Sequence, residues 1–324
     1  MGIPIAEAGR LIRQVTHSGA AGEGSAEMLT RFSGAKIFSG DRVGLLFIAP
    51  ALIVFLIVLS FPIGYAGYLS FFRVKPDFTL VYNGLANFSK TLQDPYFWNA
   101  LANTVIYTFG SVALHIIIGF SLALALNSPW LKGRLFFRIA FFIPWSISFV
   151  VTAVTWRWVL NAQYGILNAF LRQAGLITEN ISWLGSAEIA LPTAIVVNAW
   201  RGYPFVMVMI YAGLQAIPRE PYEAAMVDGA SRLQLFRYIT LPSLREVVLV
   251  ASVLDTIWVF IQFELIQVLT AGGPGRATEL LTNLIYRESF SYYEFGIGSA
   301  IAMLTLLIVL GFSVIYVRLL GREP

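Results

Sequence analysis

The chain has 324 residues, of which 57% are hydrophobic and 12% charged, with a net charge of +4 and no cysteine. A mean hydropathy of +0.73 excludes an ordinary soluble domain and marks an integral membrane protein. Disulfides, thiolate metal sites and cysteine nucleophiles are excluded together; in a membrane chain a surplus of Lys and Arg reports topology first, so it requires no nucleic-acid partner.

In chain order, residues 1–42 are expected to form a cytoplasmic tail: Arg10, Arg13 and His17 stand among Gly, Ala and Ser, without the apolar core of a cleavable signal. A bilayer core needs about 20 apolar residues of helix. Six segments are predicted to span it, at 43–71, 101–127, 135–160, 189–215, 245–270 and 296–320. Residues 43–320 would then be one transmembrane domain and 321–324 a cytoplasmic end. Fourteen of the 22 Lys and Arg fall in the tail, the second-to-third loop, the stretch 219–245 and the C-terminus, against six in the opposite loops. The basic surplus marks the cytoplasmic side, so both termini are expected there. Trp98, Trp130, Trp156, Trp158 and Trp183 near span ends read as interfacial anchors. Pro50, Pro62, Pro144, Pro192 and Pro204 inside spans imply kinked helices around a lined cavity.

Ionisable groups inside a membrane mark a pathway or a partner. His115, alone in the second span, reads as a helix-packing residue. In the fourth span Asn198, Arg201, Gly202 and Phe205 share one helical face; in the fifth, Asp255, Trp258 and Gln262 share another. Polar groups beside an aromatic on each face suit a sugar, whose hydroxyls take amide and carboxylate partners while its ring lies on a flat side chain. Arg201 offers a fork for a carboxylate, so an anionic glycan is one reading; a buried Arg201–Asp255 pair is the other. Glu264 lies off the Asp255 face and is assigned to a subunit interface.

Between those spans lies EAAMVDGASRLQLFRYITLP, within a predicted hairpin at 218–242. Pro221 suits a first helical turn and Gly229 a C-terminal stop. Ser231 three residues before Gln234 is a capping-box spacing for a second helix, which Pro242 is expected to close. The hairpin exposes Glu223 and Asp228 among Tyr222, Ala224, Ala225, Met226 and Val227, like a docking knob; the rival reading is an interfacial helix on lipid headgroups. No G-x-x-x-x-G-K-[ST], H-E-x-x-H or G-x-S-x-G occurs, so no catalytic or metal-ligating residue and no bound cofactor is assigned.

Glu223-Ala224-Ala225, three residues, Gly229 and then ITLP at 239–242 resemble the EAA loop of permease subunits in binding-protein-dependent ABC importers. VLTAGGPGRATELLTNLIYRESFSYYEFGIGSA at 268–300, with the opening IAPALIVFLIVLSFPIGYAGYLSF, resembles the sugar-importer branch, in the subunit akin to the first maltose permease. The resemblance implies an all-α membrane protein of six transmembrane helices with a cytoplasmic coupling hairpin, in a prokaryotic plasma membrane. It implies that Glu223, Ala224, Ala225, Asp228 and Gly229 meet an ATPase subunit, and that ATP and Mg sit on those subunits. The implied partners are a second homologous permease in a heterodimer, two ATPase subunits, and an extracytoplasmic solute-binding protein facing loops near 72–100, 161–188 and 271–295. The implied substrate is an oligosaccharide, acidic ones included. Asn198, Gly202 and the aromatic at 205 match the family's sugar-site positions, while Arg201, Asp255 and Trp258 depart from it. Alternatives are a neutral-oligosaccharide or glycerol-phosphoester importer, an ion-coupled secondary transporter using Asp255 or Glu264, and an enzyme acting on lipid-linked sugars.

Overall fold

The computed structural model describes residues 37–128 and 130–320, so most of the expected tail and the C-terminal end at 321–324 lie outside the described residues. The chain divides into two units, 1–64 and 65–324. The first contributes most of α1 (Ile37–Leu69), an apolar helix that carries Pro50 and Pro62 in its interior.

In the second unit, β1 (Phe72–Val74) and β2 (Leu80–Tyr82) form an antiparallel hairpin with Phe72 opposite Tyr82. Asp77 closes its turn by accepting from the Thr79 amide and hydroxyl. After α2 (Ala86–Gln93) comes α3 (Pro95–Asn127), whose start is set by Asp94: its carboxylate accepts from the Tyr96 N–H, and Pro95 fills a position where an N–H would have no partner.

The predicted span 135–160 is not one helix. It is α4 (Arg134–Ser146) followed by α5 (Phe149–Val159), bent by 95°. Pro144 lies in the last turn of the first piece, Ile147 is extended, and Ser148 restarts the helix by accepting from the Val151 N–H. Next come α6 (Ile166–Gln173) and α7 (Ala187–Ala216). The pair α3 and α7 forms the buried centre of this unit. Gly119 lets the two backbones meet, since a Cβ there would stand 2.8 Å from the Met207 nitrogen.

The hairpin contains α8 (Glu220–Val227) and α9 (Arg232–Leu235). Pro242 does not close the second helix as expected. The chain widens into a π turn over Phe236–Thr240 and continues through α10 (Leu241–Ser243) into α11 (Arg245–Phe260); the π turn shifts the hydrogen-bond register just where proline has no N–H to give. The predicted span 245–270 is also broken: α11 stops at Phe260 and α12 (Glu264–Leu269) follows a three-residue gap. Then come α13 (Leu281–Tyr286), a second π turn and α14 (Phe295–Leu320).

Six continuous spans were expected. Among the described residues four helices are long and apolar enough to cross a membrane, five if the bent pair counts as one; the predicted 245–270 span is split at 261–263 into helices of 16 and 6 residues. The fold remains an all-α membrane architecture.

Candidate functional site

The hairpin is exposed and locally capped. Gly229 has φ +81°, and the Ala230 N–H reaches the Ala225 carbonyl while Gly229 reaches Met226, the paired bonds that end a helix on a left-handed residue. Ser231 accepts from the Gln234 N–H and the Gln234 side chain accepts from the Ser231 N–H, so both arms of the capping box form. Tyr222 Oη lies 2.8 Å from Thr240 Oγ1, which ties α8 to the π turn that follows α9. Glu223, Ala224, Asp228 and Gly229 are exposed and Ala225 is half-buried. Neither Glu223 nor Asp228 has an ion-pair partner among the described residues, and Met226, Val227 and Leu233 lie exposed around them.

The seven intramembrane residues separate into two groups. Arg201, Trp258 and Gln262 line a cavity of about 350 Å³ together with Trp145, Phe149, Ile261 and Glu264. Phe205 stands behind it, edge-on to Trp258 with centroids 4.9 Å apart. Arg201 donates from Nε to the Ile147 carbonyl at 3.0 Å and stacks its guanidinium over the Phe149 ring at 3.4 Å. It thereby caps the broken end of α4, where carbonyls have lost their helical donors. Two residues on, the Tyr203 hydroxyl donates to the Phe141 carbonyl on the same helix. Gln262 is buried and its Nε2 has no protein partner.

Asn198, Gly202 and Asp255 fall in the second group, outside that lining. The Arg201–Asp255 pair, one of the two readings of these charges, does not form among the described residues. Asp255 is buried and pairs instead with His115, Oδ2 to Nδ1 at 2.7 Å, while His115 Nε2 faces the Asn198 carbonyl at 3.1 Å. A carbonyl only accepts, so Nε2 carries a proton, and the 2.7 Å contact to a carboxyl requires another between Nδ1 and Oδ2; the dyad then has no net charge. Gly202 is cut to the ring, since a Cβ there would overlap the imidazole. His115 is thus the satisfied packing residue expected, although its acidic partner lies 140 positions away. Glu264, expected to face a partner subunit, lines the Arg201 cavity. Sequence reasoning missed Trp145 and Phe149; the one signal was Pro144, adjacent to Trp145 and five positions before Phe149.

Residues 115–322 match the family described as the binding-protein-dependent transport system inner membrane component. The trehalose/maltose transport system permease protein MalF of Thermococcus litoralis is 38% identical over 87% of this chain and 94% of its own length. The sulfoquinovosyl glycerol transport system permease protein SmoG of Agrobacterium fabrum is 32% identical over 88% of this chain and 92% of its own length. Among solved structures, a chain of a bacterial ABC transporter involved in import of the acidic polysaccharide alginate superposes with a TM-score of 0.73 at 26% identity, covering 86% of this chain and 96% of that one. The chain belongs to the inner-membrane components of binding-protein-dependent transport systems, as a permease subunit of an ABC importer and not an enzyme.

Proposed function

We propose that this permease imports oligosaccharides, acidic ones among them, through the cavity around Arg201. The observation that carries the reading is the meeting there of a guanidinium, a carboxamide with a free N–H, a carboxylate and two indoles. Such a set offers both donor and acceptor to hydroxyls and a flat face to a sugar ring. The cavity also sits where α4/α5 and α11/α12 are broken, and irregular backbone at membrane depth is tolerated where it lines a cavity. The sugar-transport relatives support the substrate class.

In this reading the hairpin at 218–242 faces the cytoplasm with both termini. Glu223, Ala224, Ala225, Asp228 and Gly229 dock into an ATPase subunit, and closure of two such subunits around ATP and Mg drives the spans between access states. Residues 43–320 form the membrane domain, a second homologous permease completes a heterodimer with it, and an extracytoplasmic binding protein delivers the sugar. Asn198, Gly202 and Asp255 shape the site from behind through His115.

Glu264 favours a second reading, a neutral oligosaccharide, because a carboxylate beside Arg201 offsets its charge. Uptake into liposomes separates the two. Arg201→Gln is expected to slow import of uronic-acid oligomers far more than neutral ones; equal slowing assigns Arg201 to the α4 cap alone.

A further inference from the structure

A second cavity, of about 370 Å³, lies farther along α5, lined by Arg157, Asn161, Ala162, Ser182, Trp183 and Gln267 among others. We propose that it is a second glycan subsite, which holds the trailing units of an oligosaccharide whose leading unit occupies the Arg201 cavity. This rests on the oligosaccharide reading and adds a place and a chain-length preference to it.

The lining is rich in unused donors. Of the five N–H groups of Arg157, one on Nη1 bonds the Val268 carbonyl at 3.3 Å, and the side chain has no ion pair among the described residues. Gln267 accepts through Oε1 from Asn283, and Asn161 accepts through Oδ1 from the Gln163 and Tyr164 amides, which leaves the NH₂ of each side chain to a ligand. No Asp or Glu lines the cavity. Its occupant must therefore bring acceptors, and the hydroxyl, ring and carboxylate oxygens of a glycan supply them.

The two cavities have no lining residue in common, but both draw on α5 and α12. Phe149 and Glu264 line the first; Arg157 and Gln267, farther along the same α5 and α12, line the second. From Phe149 to Arg157 is eight residues of helix, about 12 Å, longer than one sugar ring, so only a chain of units reaches both. The competing occupant of Arg157 is a lipid phosphate, since it stands between Trp156 and Trp158 at a helix end.

The test uses the full transporter with its partner permease, ATPases and binding protein in liposomes. Import of maltose is compared with maltopentaose, and of a dimannuronate with a pentamannuronate, at saturating binding protein, for wild type, Arg157→Gln and Ala162→Phe. Both variants should cut the pentasaccharide rate by about tenfold and leave the disaccharide rate within about twofold of wild type, with thermal midpoints unchanged. Equal effects on both lengths, or none on either, overturn the subsite. So does a loss in Arg157→Gln that follows the anionic-lipid content of the liposomes and not sugar length. If wild type imports neither series, the oligosaccharide reading itself falls, and this subsite with it.

Discussion

His115 Nδ1 and Asp255 Oδ2 lie 2.7 Å apart, and the same ring turns its other nitrogen to the Asn198 carbonyl, so one imidazole ties α3, α7 and α11 together. Both side chains are almost wholly buried. Removing one partner of a buried pair strands the other and costs about 3–5 kcal/mol. Asp255→Ala should therefore lower the thermal midpoint and the amount of permease in the membrane, while transport per remaining molecule keeps its sugar preference. The double variant with His115→Ala should be less damaged than the two losses added together. A normal midpoint with a sugar-specific defect would instead put Asp255 on the substrate.

Gly229 limits the hairpin through its backbone and not through space: a Cβ there meets nothing within 4 Å, but φ is +81°. A β-branched residue pays about 1–2 kcal/mol or more to enter that region. Gly229→Val should reopen the turn, lowering uptake per ATP hydrolysed while membrane levels stay normal, with Gly229→Asn much milder because Asn tolerates left-handed backbone. Equal coupling in Val and Asn variants would remove the turn from the coupling pathway.

Glu223 is exposed and without an ion pair among the described residues, so its replacement disturbs no fold contact of that kind. Glu223→Lys should leave assembly in the membrane intact and separate ATP hydrolysis from uptake. Wild-type transport by this variant would exclude the residue from the contact with the ATPase.

Glu279 lies in the loop after α12, fully buried between Arg287 at 3.0 Å and Arg276 at 3.6 Å. Burial pushes its carboxyl above the usual value of 4.5, with both arginines pulling the other way. Because the folded state holds this proton longer than the unfolded one, its contribution to stability is greatest below 4.5 and declines as pH rises from there through the raised value. The thermal midpoint of wild type relative to Glu279→Gln should fall across that window. A difference that grows with pH would mean that the arginines outweigh burial.

The hairpin was legible because its instructions are local. Gly229, and Ser231 three residues before Gln234, specify backbone states and hydrogen bonds within a few positions of themselves, and the structure holds both. Helices α3, α7 and α14 were legible from apolar length, although α3 starts at Pro95, upstream of the expected 101, because Asp94 caps it there. The break at 147–148 was legible in part, since Pro144 marked a kink in that span; the break at 261–263 was not, since Ile261, Gln262 and Phe263 hold no proline or glycine.

The intramembrane site was half legible for a related reason. Helical spacing put Arg201, Asn198 and Gly202 on neighbouring positions, but not their partners. Arg201 bonds a backbone carbonyl 54 positions away, which carries no side-chain signature. Asp255 found a histidine on another helix, whereas charge matching offered only the arginine as its partner within the chain. Glu264 lines the cavity because α11 ends at Phe260 and α12 begins at Glu264, so the helical phase that would have put it off the Asp255 face is interrupted.

The most direct measurement is ATP hydrolysis by the purified four-chain transporter in liposomes, with its binding protein, across neutral and uronic-acid oligosaccharides. Stimulation by oligosaccharides, strongest with acidic ones and weakened selectively by Arg201→Gln, is the expected result. No stimulation by any sugar, with the ATPases and binding protein shown to be competent, would contradict the assignment of an oligosaccharide to the cavity around Arg201.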